Sequence, residues 1–179
     1  SAGIGKQILD EEEIQMLANT VCGNPEVKKA FLFCCNTGLR FCDVSTLQWK
    51  HIEMKANKLT KEQVKVKRSS KDATVIIDLN PSAKALVGIE GKKDELVFKL
   101  PGTLNGCNAT LKYWVEKAEI TKHITWHCAR HSFATNLLRN GADLKSVQSL
   151  MGHSDLKELQ KYLHLIDKLK TEAVNKLAI

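Results

Sequence analysis

His127, Arg130 and His131 sit close together in the stretch HCARHSFATNLL, residues 127–138. Two histidines four residues apart share a face if the stretch is helical, which is the spacing of paired zinc ligands. A zinc protease helix also needs a glutamate directly after the first histidine as general base, and Cys128 occupies that place. His127, Cys128 and His131 lack a cysteine pair or a nearby carboxylate to complete a ligand set, so the donor chemistry argues against a metal site. Arg130 argues the same way, because a guanidinium is a poor neighbour for a dication and a good one for an anion. A buried structural helix accounts for Phe133, Leu137 and Leu138, yet it leaves His127 and Arg130 unexplained.

Two other stretches carry polar residues at turns. In NTGLRFCDVSTL, Arg40 follows a tight turn permitted by Gly38, and Asp43 is placed to hydrogen-bond the guanidinium. Taken alone this is a surface ion pair of little consequence. In GADLKSVQSLMGHSDLKELQKYL, two short helices are expected to flank MGHSD, with His153 at the turn and Tyr162 nine residues beyond it. That pattern suits a helix-turn-helix lying in a DNA groove, or a plain helical hairpin.

The three stretches are more specific together than apart. An arginine turn, a lysine-bearing hairpin, H-x-x-R, G-H and then a tyrosine follow in that order. In TGLRFCDVSTLQW, HCARHSFATNLLRNGADLKSVQSLMGHSD and KYLHLID the chain resembles the tyrosine recombinases, the phage integrase family. The resemblance runs from LDEEEIQML to past Tyr162 and looks nearest to integrases of Bacteroides-type mobile elements. It implies that HCARH is an anion site for a DNA phosphodiester, with Tyr162 as nucleophile. It implies that Arg40 and Arg130 hold the phosphate, His153 donates to it, and His127 accepts the tyrosine proton. A hairpin lysine protonates the leaving hydroxyl. The family's Lys-Thr-Gly turn is absent from KVKRSSKDATVIIDL, which offers Lys67 and Lys71; counting back from IDL favours Lys71. His131 is expected to pack or hydrogen-bond behind the site. No metal, ATP or other cofactor is needed, because a protein ester stores the bond and the arginines supply positive charge. The implied partners are double-stranded DNA and, for the full-length protein, a homotetramer assembled on it. A DNA-relaxing enzyme of the type IB topoisomerase kind and a non-catalytic DNA-binding protein remain alternatives at this stage.

Composition agrees with a polyanionic partner without requiring one. The chain has 179 residues, with 27 Lys plus Arg against 20 Asp plus Glu and a formal net charge of +7, a balance that favours nucleic acid. The six cysteines form no C-x-x-C pair, and three lie in apolar runs where cysteine behaves as a small hydrophobe. With no signal peptide and no apolar run of membrane length, a reduced cytoplasmic setting is expected. The opening SAGIGK lacks Met and suggests a fragment, with residues 1–179 forming a single catalytic domain and the family's N-terminal core-binding domain absent.

The elements that must position these residues are mainly helical. LDEEEIQMLANTVCG predicts a helix capped by Asp10 and ended by Gly23. PEVKKAFLFCCNTGL predicts a core helix from Pro25 to Thr37-Gly38. DVSTLQWKHI predicts another, capped by Asp43, with Val44, Leu47 and Ile52 inward. EQVKVKR and TVIIDL predict a hairpin, and ELVFKL a further strand. The rest is helical, with breaks at ITWHCARHS, RNGADLKSV and GHSD, and TEAVNKLAI closes the chain as a short amphipathic helix with Ala173, Val174 and Leu177 on one side. The expected fold class is therefore mainly α with a small antiparallel β-sheet (α+β), the tyrosine recombinase catalytic-domain fold by resemblance.

Overall fold

The computed structural model describes residues 8–64, 73–151 and 156–177. Lys67 and Lys71, on the hairpin, and His153, after the penultimate helix, lie outside the described residues.

The chain opens with α1 (Glu11–Ala18). The Asp10 carboxylate accepts from the Glu13 N–H while Glu13 accepts from the Asp10 N–H, a reciprocal cap. The helix stops at Asn19, short of the expected Gly23, where Thr20 turns its hydroxyl back onto the Met16 carbonyl. Next, α2 (Pro25–Thr37) starts on a proline in its first turn, as the sequence predicts, and ends at Gly38 with φ +75°. It is the central helix: Val27, Ala30, Phe31, Phe33 and Cys34 are completely buried.

The third expected helix is short. α3 spans Phe41–Ser45, with Arg40 and not Asp43 at its N-cap. Val44, Leu47 and Ile52 are buried as expected, but a helical turn at Trp49–His51 and strand β1 (Ile52–Glu53) carry the rest. The hairpin pairs β2 (Lys58–Glu62) with β3 (Thr74–Asp78), in register Leu59 with Ile77 and Lys61 with Val75. With β1 they form a three-stranded antiparallel sheet. β2 ends at Glu62, the first residue of the expected EQVKVKR, whose residues 65–68 lie outside the described residues. The start of β2 is hidden because Lys61 takes an inward position beside Leu59, and a lysine facing inward disguises the alternation that marks a half-buried strand. ELVFKL buries Val97 and Phe98 but is not a strand. Leu96 pairs with Gln48 in one isolated antiparallel bridge, with the Trp49 N–H on the Glu95 carbonyl and the Val97 N–H on the Leu47 carbonyl. The Lys99 N–H goes instead to the Glu26 carboxylate, so the bridge does not extend into a ladder.

The remaining helices are α4 (Pro81–Val87), α5 (Leu104–Lys117), α6 (His127–Arg139), α7 (Leu144–Met151) and α8 (Leu156–Asn175). The mainly helical α+β class expected from sequence is the one observed. The main core surrounds α2. Phe31 meets Trp114 edge to face at 5.9 Å and Trp126 at 5.5 Å. A second cluster joins α6, α7 and α8 through Phe133, Ala134, Leu138, Val147, Met151 and Ile166. TEAVNKLAI is no separate helix: α8 runs on through it to Asn175, and Val174 and Leu177 are exposed. Among the described residues, no helix is long and apolar enough to cross a membrane.

Candidate nucleic-acid cleavage site

Arg40 owes its place to the end of α2. Gly38 donates its N–H to the Cys34 carbonyl at 2.8 Å and turns left-handed, which redirects the chain within two residues. Any side chain at Gly38 would meet Phe133, since an added Cβ lies 2.5 Å from Phe133 Cδ1. Leu39 is then buried and Arg40 is left half-buried at the start of α3. Its Nη1 donates to Oε1 of Gln63 at 2.6 Å.

His127 and Arg130 both lie in the first turn of α6, so the helix begins earlier than the apolar stripe suggests. A turn at Thr125 starts it: Cys128 donates its N–H to the Thr125 carbonyl, and the Cys128 thiol accepts from the Thr125 N–H at 3.3 Å. Trp126 anchors this end, with its N–H on Asn108 at 2.8 Å and its ring edge-to-face against Phe31 and, at 5.2 Å, Phe41. Phe41 follows Arg40 and Trp126 precedes His127, so one aromatic contact fixes two sequence-distant polar residues together.

His127 is exposed, while Arg130 is 5% and His131 8% exposed. The two imidazoles meet edge to face with centroids 4.3 Å apart, so His131 packs behind His127 as the spacing suggested. Arg130 is more deeply embedded than a surface anion site would require. Nη1 donates to the Gly38 carbonyl at 2.6 Å and Nη2 to the Met151 carbonyl. Two of the five guanidinium N–H groups thus bind the turn before Arg40 to the end of α7, directly ahead of Gly152-His153. The three motif stretches converge on this one side chain. Tyr162 lies in α8, one turn before Ile166, which is sealed into the second cluster.

Asp43 does not cap a helix. It is 1% exposed, accepts from the Val64 N–H at 2.8 Å and lies 3.8 Å from the Lys61 ammonium, itself 6% exposed. Sequence reasoning missed Lys61 and Gln63 as neighbours of the site, since the only available sign was a lysine at an inward strand position. Burial raises the Cys34 thiol to about 12 and pushes Cys35 well above the usual thiol range, so neither is a ready nucleophile. Among the described residues, no group of three or more His, Cys, Asp or Glu side chains is gathered as metal ligands would be.

Residues 7–168 match the model of the phage integrase family. Over 49 residues the chain is 59% identical to the tyrosine recombinase XerD of Staphylococcus saprophyticus, a match covering 27% of this chain and 17% of that protein. The chain thus spans well under two thirds of that relative. Among solved structures, the catalytic domain of bacteriophage HP1 integrase superposes with a TM-score of 0.65 at 22% identity, covering 94% of each chain. The Tn1549 transposon integrase, solved in complex with circular intermediate DNA, gives 0.69 at 18% identity, over 88% of this chain and 62% of that one. At these identities the superpositions establish a shared fold.

Proposed function

Because this chain belongs to the phage integrase family, we propose that it is the catalytic domain of a site-specific DNA recombinase that cuts and rejoins duplex DNA through Tyr162. The observation that carries this reading is the convergence on Arg130 of the Arg40 turn, the His127 helix end and the end of α7. A phosphodiester is the anion that such a cluster on a basic chain suits, and the family's DNA-bound members support duplex DNA as partner. Homotetramer assembly in the full-length protein and an origin in a Bacteroides-type mobile element belong to the same proposal.

Strand exchange trades one phosphodiester for another. The Tyr162 oxygen bonds to phosphorus as the bond to the 5′ oxygen breaks, leaving a 3′-phosphotyrosine and a 5′-hydroxyl. A phenol with pKa near ~10 is a good enough leaving group for the incoming 5′-hydroxyl to reverse the step without ATP. Arg40 and Arg130 face the charge that gathers on the non-bridging oxygens, a role in which one preorganised donor contributes about 3–4 kcal/mol. His127, exposed and braced by His131, takes the tyrosine proton, and His153 donates to the phosphate. Incubation with two duplexes of different length tests this reading against its rival: exchanged strands are expected, whereas relaxation of supercoiled plasmid without exchange would identify a topoisomerase.

Lys71 is the proposed acid for the 5′ oxygen, in preference to Lys67. A thiol ionises near pKa ~8.5 and leaves without a proton donor. With sulfur in place of the bridging 5′ oxygen, Lys71→Ala should cleave nearly as well as the parent, and poorly on normal DNA. Rescue of Lys67→Ala instead would assign the acid to Lys67.

The end of α8 is proposed to dock on a neighbouring protomer. Exposure of Val174 (65%) and Leu177 (77%) supports this over packing on its own domain. Deleting residues 171–179 should weaken assembly of the full-length protein on DNA, and unchanged sedimentation of that complex would contradict it.

A further inference from the structure

We propose that Gln63 is a positioning residue for Arg40, and that the buried Asp43–Lys61 pair holds it in place. The proposal rests on the reading of Arg40 as a phosphate-binding residue. Arg40 Nη1 donates to Gln63 Oε1 at 2.6 Å. The Gln63 backbone is itself fixed, its N–H donating to the Ala73 carbonyl at 2.6 Å just beyond the last pair of the β2–β3 ladder. The next residue, Val64, donates its N–H to Asp43, and Asp43 lies beside Lys61 two residues before Gln63. Asp43 in turn sits in the first turn of α3, its N–H on the Arg40 carbonyl at 3.0 Å. The contacts form a closed ring, from the Arg40 guanidinium to Gln63, along the strand to Lys61 and Val64, across to Asp43 and back to the Arg40 backbone.

The chemistry of the anchor matters. An amide oxygen orients a guanidinium while leaving its full charge for a phosphate. A carboxylate at the same place would neutralise that charge and compete with the phosphate. Glu62, one residue earlier, is exposed, so the strand places its carboxylate outward and its amide toward the arginine. In sequence the same strand leads into the segment bearing Lys67 and Lys71, so the ring also ties the arginine to the residues that precede that segment. A buried ion pair is a poor source of stability, but it specifies one arrangement where removing a single partner is costly. Here the arrangement specified is the approach of the hairpin to α3.

The test compares Gln63→Ala and Gln63→Glu, each in the parent chain and with Arg40→Lys. The substrate is a nicked suicide duplex obtained from a randomised pool by covalent capture on the parent. Single-turnover cleavage should slow by ~10-fold in Gln63→Ala, the size of one lost hydrogen bond to a charged group, with duplex affinity changed by less than ~2-fold. Gln63→Glu should lose at least as much although it retains an acceptor. Adding Gln63→Ala to Arg40→Lys should cost little more, since both act at one guanidinium. In the free protein, nitrogen NMR should show the Arg40 guanidinium rotating slowly, and faster after Gln63→Ala. Parental cleavage in Gln63→Glu, fully additive losses, or unchanged rotation would each overturn the proposal. A near-parental rate for Arg40→Ala would overturn the reading of Arg40 and the proposal together. An inactive Arg40→Ala beside a fully active Gln63→Ala would overturn the proposal alone.

Discussion

Tyr162→Phe should abolish the covalent DNA adduct and leave duplex binding within about twofold, because it removes one hydroxyl and keeps the ring, a change of roughly 0.5 kcal/mol or less where no buried partner is lost. The change removes the attacking oxygen and nothing else. No neighbouring group replaces it, since a nucleophile must be positioned as well as reactive. The chain has two tyrosines; the other, Tyr113, is 75% exposed on α5, so Tyr113→Phe serves as the matched control and should form adduct at the parental rate. Adduct formation by Tyr162→Phe, read on a denaturing gel beside a mobility-shift measurement, would remove Tyr162 from the chemistry.

The second large effect is structural. Gly38→Ala should destabilise the fold by about 2–5 kcal/mol, combining the left-handed backbone penalty with an overpacked contact. For a chain of this length that corresponds to a drop in Tm on the order of 10 °C. The two sources are separable. Gly38 has φ +75°, and an added Cβ would lie 2.5 Å from Phe133 Cδ1 and 3.3 Å from Met151 Sδ. Asparagine tolerates the left-handed region better than alanine but keeps the Cβ, so Gly38→Asn should recover little. Adding Phe133→Leu to Gly38→Ala should recover part of the loss, although Phe133→Leu alone destabilises. Cleavage should fall further than stability, because the Gly38 carbonyl is an anchor of Arg130 and Arg40 lies two residues on. An unchanged Tm in Gly38→Ala, read by calorimetry, would mean that the turn relaxes freely and does not hold the two arginines.

These two sites differ in how visible they are in the sequence. The Gly38 turn is legible because local rules decide it: a proline start, an apolar run and a glycine stop predict α2 nearly to the residue. The gathering of Arg40, His127 and Arg130 is legible through the resemblance, since their convergence depends on contacts such as Arg130 to Gly38, 92 residues apart. The start of the hairpin's first strand is missed because Lys61, a charged residue, occupies an inward position that its pairing with Asp43 makes tolerable. Asp43 is misassigned as a cap for the same reason. Cap rules weigh nearby N–H groups, whereas its main-chain donor comes from Val64 across the hairpin stem. Gln63 is invisible from sequence: an amide at the end of a strand has no local signature, and its meaning comes entirely from the guanidinium it meets.

The most direct test of the central claim is to locate the adduct chemically. The parent chain is incubated in EDTA with the captured nicked duplex, then digested and analysed by mass spectrometry. The expected result is a single peptide carrying a nucleotide 3′-phosphate on Tyr162, formed as fast in EDTA as in magnesium. Free phosphate ends without an adduct, attachment at another residue, or loss of the adduct in EDTA would contradict cleavage by Tyr162 at a site whose positive charge comes from arginine.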